Sequence, residues 1–302
     1  MGDITTREAT AQETAAWTER WLERAETQSR RIGLKSRAEG LKQRREKADE
    51  AVLLRLLDGD TPVGCLSLLV VTEDGRRAVV EDIEIDEPLR RRGYGSAALR
   101  YAREWAAGRA PRLSAGIDPS DPAQVALFAE MPVRAQNMYK TLGEAPELPS
   151  GVTARQMTED EFRPWWQAGK LDYAESFVRN GILTEEEARE RSERDHAQLL
   201  PEGLDTEGSD VTAIVADGRR VAAIWTAHGV EPAVSFVYSV DVEAGERGRG
   251  YGRAAMLAAE RLSLAAGSTR LGLNVFGHND VAIKLYDSLG YETTSQMRGV
   301  DL

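Results

Sequence analysis

Apolar residues in this chain follow two rhythms. Residues 51–57, 63–71, 78–85 and 112–117 are short runs rich in Val, Leu and Ile, a pattern that predicts strands. Residues 6–48 instead repeat Ala, Glu, Arg, Gln and Leu, with Trp17, Trp21 and Leu22 spaced for one helical face. Gly33 and Gly40 divide that stretch into two helices. Turns at Asp58-Gly-Asp-Thr-Pro62 and Glu73-Asp-Gly-Arg76 separate the first three strands. A helix is predicted from the glycine-rich segment at 89–95 to about residue 107. A Pro- and Asp-rich segment at 118–123 precedes a last helix predicted near residues 133–142.

Residues 144–151 carry two prolines and a glycine without apolar periodicity, which marks a linker. Beyond it the order returns. Helices are predicted at 159–167 and 184–200, the second opening on a Thr184 cap followed by acidic residues. A hairpin at 211–228 turns at Asp217-Gly218, and a strand at 233–242 runs into a glycine-rich turn and a helix at 254–266. A strand at 270–275, a helix at 279–289 and a short closing strand complete the chain. Arg90-x-x-Gly93-x-Gly95 thus recurs as Arg247-x-x-Gly250-x-Gly252, and Met138-Tyr-Lys-Thr-Leu-Gly143 pairs with Leu285-Tyr-Asp-Ser-Leu-Gly290. Such self-similarity predicts two like domains, residues 1–145 and 146–302.

Composition narrows the function. A charged fraction of 29% and a hydrophobic fraction of 41% are those of a soluble globular chain, and no run approaches a membrane span. The polar start lacks a signal-peptide core, so a cytoplasmic location is the expectation. A net charge of −11 argues against nucleic acid as partner and suits a cationic small molecule. One cysteine, Cys65, and three histidines leave no dense set of soft ligands, so no metal is expected.

The chemistry concentrates at residues 241–253. A strand end there enters a glycine-rich turn that opens a helix, where backbone N–H groups and the helix dipole favour a phosphate. Gly248, Gly250 and Gly252 clear side chains from the backbone, and Arg247 and Arg249 add positive charge. Neither the Gly-x-Gly-x-x-Gly dinucleotide pattern nor Gly-Lys-Ser/Thr is present.

With a hairpin before this turn and Asn279-Asp-Val-Ala-Ile-Lys-Leu-Tyr286 after it, the chain resembles the GNAT acyltransferase superfamily, twice over. The resemblance implies two tandem α/β domains, each a mixed, mostly antiparallel sheet flanked by helices. It implies acetyl-CoA as co-substrate, its pyrophosphate held by Arg247, Gly248, Arg249, Gly250, Tyr251 and Gly252. Its pantetheine arm would run beside the main chains of Val240 and Val242, like a strand added to an exposed edge. Asn274 and Asn279 resemble amides that contact the cofactor, although an Asn before a helix also serves as a cap. Tyr286 resembles the general acid that protonates the departing thiolate; the competing reading is an aromatic core residue. Many relatives carry a Glu early in the preceding strand, where this chain has Phe236. Asp241, Tyr238, Glu231, His228 and His278 are all left as possible bases. Strand alternation places Tyr238 with Val240 and Val242, and Asp241 on the other face.

The first domain keeps Arg90, Gly93 and Gly95, together with Tyr139, but has Pro132 where the second has Asn279. It reads as degenerate: an acyl-CoA binder without turnover, or a platform. The arms at 13–47 and 172–204 fall where the superfamily builds its acceptor pocket, and Trp165, Trp166, Tyr173 and Phe177 line either that pocket or the core. The expected activity is N-acetylation of a small-molecule primary amine by a monomer or homodimer with no membrane partner. Acetylation of protein N-termini or lysines, and a noncatalytic acyl-CoA sensor or scaffold, are the alternatives.

Overall fold

A computed structural model describes residues 4–73 and 75–302. Asp74, in the expected turn at Glu73–Arg76, lies outside them. The first half runs β1 (Thr5–Glu8), α1 (Ala11–Arg31), α2 (Ala38–Glu46), β2 (Glu50–Asp58), β3 (Thr61–Val71), β4 (Arg77–Ile85), α3 (Tyr94–Ala106), β5 (Arg112–Ile117), α4 (Pro122–Leu127) and β6 (Val133–Thr141). The second half repeats that order: β7 (Val152–Gln156), α5 (Glu159–Arg179), α6 (Glu185–Leu199), β8 (Ser209–Ala216), β9 (Arg219–Glu231), β10 (Val234–Val242), α7 (Tyr251–Ala265), β11 (Arg270–Phe276), α8 (Asp280–Ser288) and β12 (Glu292–Asp301). The fold is mixed α/β, with two copies of one architecture.

By contacts the chain divides into one unit of Met1–Arg134 with Ser295–Leu302, and another of Ala135–Thr294. The sheet order in the first is β1-β2-β3-β4-β5-β12, and in the second β7-β8-β9-β10-β11-β6. Neighbours are antiparallel except β4 with β5 and β10 with β11. Each sheet therefore ends on a strand from the other half of the sequence. The linker at 144–151 separates the repeats along the chain, while the contact boundaries fall inside β6 and β12.

Residues 133–142 are not a helix. They form β6, registered against β11 from Ala135↔Phe276 to Thr141↔Arg270. Tyr139 lies opposite Gly272, where an added Cβ would come within 2.3 Å of the tyrosine ring. The ring occupies the space that glycine leaves, and tertiary fit of this kind overrides local propensity.

The match of Met138–Gly143 with Leu285–Gly290 dissolves with that helix. The counterpart of α8 is α4, which follows β5 as α8 follows β11. Asp121 and Asn279 are the two N-caps, each accepting from main-chain N–H groups of the first turn. A Cβ added at Gly95 would lie 3.6 Å from Leu127, and one added at Gly252 would lie 3.2 Å from Leu285. The residue following each leucine is Phe128 in the first unit and Tyr286 in the second. Asp121, not Pro132, thus stands for Asn279, and Phe128, not Tyr139, for Tyr286.

Both cores rest on alanine-rich helix faces, which let α3 and α7 lie close to their sheets. Ala98, Ala102 and Ala106 pack against β3 to β5 residues such as Leu68, Val80 and Leu113. Ala254, Ala255, Ala258 and Ala259 pack against Ile224, Val237 and Leu273. On the opposite faces lie α1 and α5, each 21 residues long. Each opens with a capping box, Thr10 with Glu13 and Thr158 with Glu161, and each box glutamate pairs with an arginine, Arg7 or Arg155, from the preceding strand.

Candidate active site

The two glycine-rich loops share one backbone. Gly250 and Gly93 precede their helices in the left-handed region at φ 86° and 91°, and two residues earlier Gly248 and Arg91 stand there too, at φ 77° and 64°. Arg247 Nε donates to the Val242 carbonyl at 3.3 Å, and Arg90 Nε to the Ile85 carbonyl at 3.1 Å. Neither α3 nor α7 has a side-chain N-cap bond or an acidic residue in its first turn. The orphan N–H groups of those turns stay available to an anion, which suits a pyrophosphate. Arg249 is 3.1 Å from Glu246, so its guanidinium is shared with a carboxylate.

β10 feeds the second loop. Its register with β11 runs from Val234↔Arg270 to Val237↔Leu273 and ends there, while its pairing with β9 continues to Val242↔Ala222. β11 meanwhile follows β6 to Phe276. Residues 238–242 therefore present a main-chain edge without a registered partner on the β11 side. An extended amide-bearing chain fits such an edge by backbone pairing.

The pairing of β9 with β10 skips a residue between Val237 and Ser239, a bulge centred on Tyr238. The bulge overturns the expected alternation. Val240 and Val242 join the α7-side core, whereas Tyr238 turns to Trp225, ring centroids 4.9 Å apart, on the α5 side. Asp241, in register with Ala223, faces that side too. The first unit repeats this device: the register between β3 and β4 skips Glu81.

Tyr286 sits in the apolar cluster with Val237, Val240 and Val242, is 8% exposed, and its hydroxyl makes no hydrogen bond among the described residues. Burial pushes its phenol up to about 12, so the hydroxyl holds its proton at any pH the protein experiences. Asn279 Oδ1 accepts from the Ala282 N–H at 3.2 Å, a capping bond. Asn274 Nδ2 donates to Asn137 Oδ1 across to β6 at 2.7 Å.

Among the possible bases, His228 is bound on both ring nitrogens, to Ser235 and Asp210 at 2.8 Å each. His278 Nδ1 meets Asn180 Oδ1 at 3.0 Å. Glu231 lies in register with Val234, at the end of β10 remote from the loop. Tyr238 and Asp241 stand nearest the loop; burial raises both, and Glu243 and Asp172 push Asp241 further up.

The α5 side of this unit carries an aromatic series. Tyr173 contacts Phe177 at 4.8 Å, and Phe177 contacts Phe276 at 5.8 Å, while Trp166, His196 and Trp225 continue the series to Tyr238. Trp165 is buried in the cluster with Phe162 and Trp225, a core role. Sequence reasoning missed Trp225 and the bulge; the capping boxes at Thr10 and Thr158 were the available signal for aligning the two arms.

The profile of the Acetyltransferase (GNAT) family matches twice, at residues 10–131 and 164–291. An uncharacterized N-acetyltransferase of Bacillus subtilis, YdgE, is 32% identical over 146 residues, spanning 47% of this chain and 93% of its own length. A mycothiol acetyltransferase from Nocardiopsis dassonvillei is 29% identical, spanning 80% of this chain and 83% of its own. The crystal structure of a GCN5-related N-acetyltransferase from Sphaerobacter thermophilus covers 99% of this chain and 96% of its own, with a TM-score of 0.56 at 21% identity, a likeness of fold. No helix among the described residues is long and apolar enough to cross a membrane. This chain belongs to the Acetyltransferase (GNAT) family as a tandem member, an N-acetyltransferase built from two copies of the fold.

Proposed function

We propose that the second unit transfers the acetyl group of acetyl-CoA directly to a primary amine of a small molecule. The observation that carries this reading is the unpaired edge at residues 238–242, which leads into an uncapped glycine-rich helix start and shares an apolar cluster with Tyr286. Acetyl-CoA supplies the thioester. The loop N–H groups and Arg247 hold the pyrophosphate, and the Val240 and Val242 main chains align the amide-bearing arm. Asn274 and Asn279 border the same strand and helix ends, where their remaining amide capacity faces the cofactor.

In the transfer a C–N bond forms and the C–S bond breaks. The amine nitrogen loses one proton to solvent, and the sulfur gains one from Tyr286 Oη. The phenol recovers its proton from solvent. The mycothiol acetyltransferases among the relatives fit a small-molecule acceptor.

The first unit serves as an acyl-CoA-binding or structural partner without turnover. Its loop keeps the backbone shape and Arg90, Gly93 and Gly95, yet Phe128 offers no hydroxyl. A thiol-release screen of acetyl-CoA with amines, amino acids, aminoglycosides and peptides tests the reading. Release with a small amine is the expected result; release with peptides alone would redirect the assignment to protein substrates.

A further inference from the structure

The repeat offers an internal control for the acceptor side. Matching capping boxes and equal helix lengths set α1 against α5 residue by residue, so Arg20 and Arg24 correspond to Ala168 and Asp172. Matching bulges and loops set β4 against β10, so Glu81 corresponds to Tyr238, Asp82 to Ser239 and Glu84 to Asp241. In the first unit, Glu84 accepts from Arg20 Nε at 2.7 Å and from Arg24 Nη1 at 3.1 Å. Trp17 Nε1 and Arg24 bind Asp82, Arg45 binds Glu81, and Arg31 binds Asp118. Guanidinium groups of the chain itself thus fill the carboxylate face of that unit.

In the second unit Ala168 and Asp172 replace Arg20 and Arg24, while the Arg31 position keeps a cation, Arg179, which pairs with Glu175 at 3.7 Å. The Asp241 carboxylate makes no hydrogen bond or ion pair among the described residues. The two guanidiniums that influence it are engaged elsewhere: Arg220 with Glu243 at 2.6 Å, and Arg247 with the Val242 carbonyl. The positions of Ala25, Ser29, Asp118 and Glu81 are taken instead by Tyr173, Phe177, Phe276 and Tyr238. The first unit folds without aromatic rings at these stations, so packing does not require them. Tyr238 is 37% exposed, and Phe276 ends β11 where that strand has left β10. Rings from β10, β11 and α5 therefore rim the part of the sheet where the strands diverge.

We propose that the acceptor is a primary ammonium carried on an aromatic or similarly flat apolar group, its ring against Tyr173, Phe177, Tyr238 and Phe276 and its cation at Asp241. The inference rests on the second unit being the catalytic one. The external ammonium takes the place that Arg20 and Arg24 hold against Glu84. Aromatic faces favour a cation and a flat apolar body together, and an uncompensated carboxylate supplies the charge and direction. The bound ammonium releases one proton to solvent before its nitrogen attacks. Asp172, exposed on α5, adds negative charge without a partner of its own.

The test uses the full-length protein with saturating acetyl-CoA and compares phenethylamine and tyramine with ethylamine, glucosamine and spermidine by thiol release. The expected kcat/KM for the two aryl amines exceeds that for the others by about tenfold or more. Tyr238→Ala removes most of that preference through KM with kcat retained, and Tyr238→Phe restores it. Asp241→Asn raises KM for every cationic acceptor. Faster turnover of glucosamine or spermidine, or a preference indifferent to both substitutions, overturns the acceptor class and leaves acetyl transfer standing. Absence of thiol release from every amine removes the transfer reading itself. In that case calorimetric binding of phenethylamine to the CoA-loaded protein decides the inference: binding weakened by Asp241→Asn supports it, and no binding sinks it.

Discussion

Arg91 and Gly248 hold the same left-handed backbone in the two loops, although only glycine does so without strain. Around that shared turn the two units keep the arginine and the glycines and diverge in the groups assigned to proton transfer and to the acceptor. Tyr286 becomes Phe128, Asn279 becomes Asp121, and the aromatic face beside Tyr238 becomes a set of ion pairs around Glu81, Asp82 and Glu84. The backbone of the loop and the bulge of the strand are properties of the scaffold, kept where no reaction is expected. Activity must be read from side chains and from what fills the acceptor side. A loop with the right backbone shape is by itself no sign of activity.

The comparison can be broken at several points. The largest effect is expected at Lys140, whose ammonium from β6 meets both oxygens of buried Glu260 on α7 at 2.8 Å. Lys140→Met leaves that carboxylate uncompensated and should cost about 3–5 kcal/mol, read by denaturant unfolding. A loss confined to the first unit, followed by a probe in each, would contradict the assignment of β6 to the second sheet.

Tyr286→Phe should lower kcat by about 10²-fold with acetyl-CoA affinity retained, whereas Phe128→Tyr should change neither. Equal turnover in Tyr286→Phe would remove the general acid and with it the main contrast between the units. Because burial holds the phenol near 12, its deprotonation costs activity only as pH rises through that value. The pH–rate profile should climb as the acceptor amine deprotonates and show no falling limb from this group below about pH 11.

Arg91→Gly relieves a left-handed side chain and should stabilise the first unit by about 1 kcal/mol in thermal unfolding, offset in part by glycine's greater freedom when unfolded. The smallest effect belongs to the capping box of α5. The Arg155 guanidinium holds Glu161 down to about 2, below its ordinary 4.5. Its contribution is present above pH 4.5 and is lost as pH falls toward 2. Glu161→Gln should flatten that part of the acid-stability curve, and Glu13→Gln, matched in geometry and held down to about 2 by Arg7, should do the same.

Much of this was legible in the amino-acid sequence. Glycine spacing gave both loops, apolar rhythm gave the order of most elements, and the Asn279–Tyr286 spacing located α8. Three features were not. The segment at 133–141 reads as helix because its partner β11 lies more than a hundred residues away, and the Gly272 space under Tyr139 cannot be inferred locally. The Tyr-x-x-Leu-Gly resemblance between Tyr139 and Tyr286 was coincidence, and it hid the pairing of Phe128 with Tyr286. The bulge at Tyr238 breaks alternation with no glycine or proline to announce it. By contrast, the charge reversal from Arg24 to Asp172 needed only the two capping boxes as rulers.

The exchanged strands also bear on synthesis. Arg112 of β5 pairs with Asp301, about 190 residues later, so at roughly 5–20 residues per second the first sheet waits some ten to forty seconds for its last strand. During that interval β5 presents an open edge on the ribosome, of the kind that invites wrong partners. The second sheet has no such wait, because β6 has already emerged when β11 appears. The half translated last is the half that can close first.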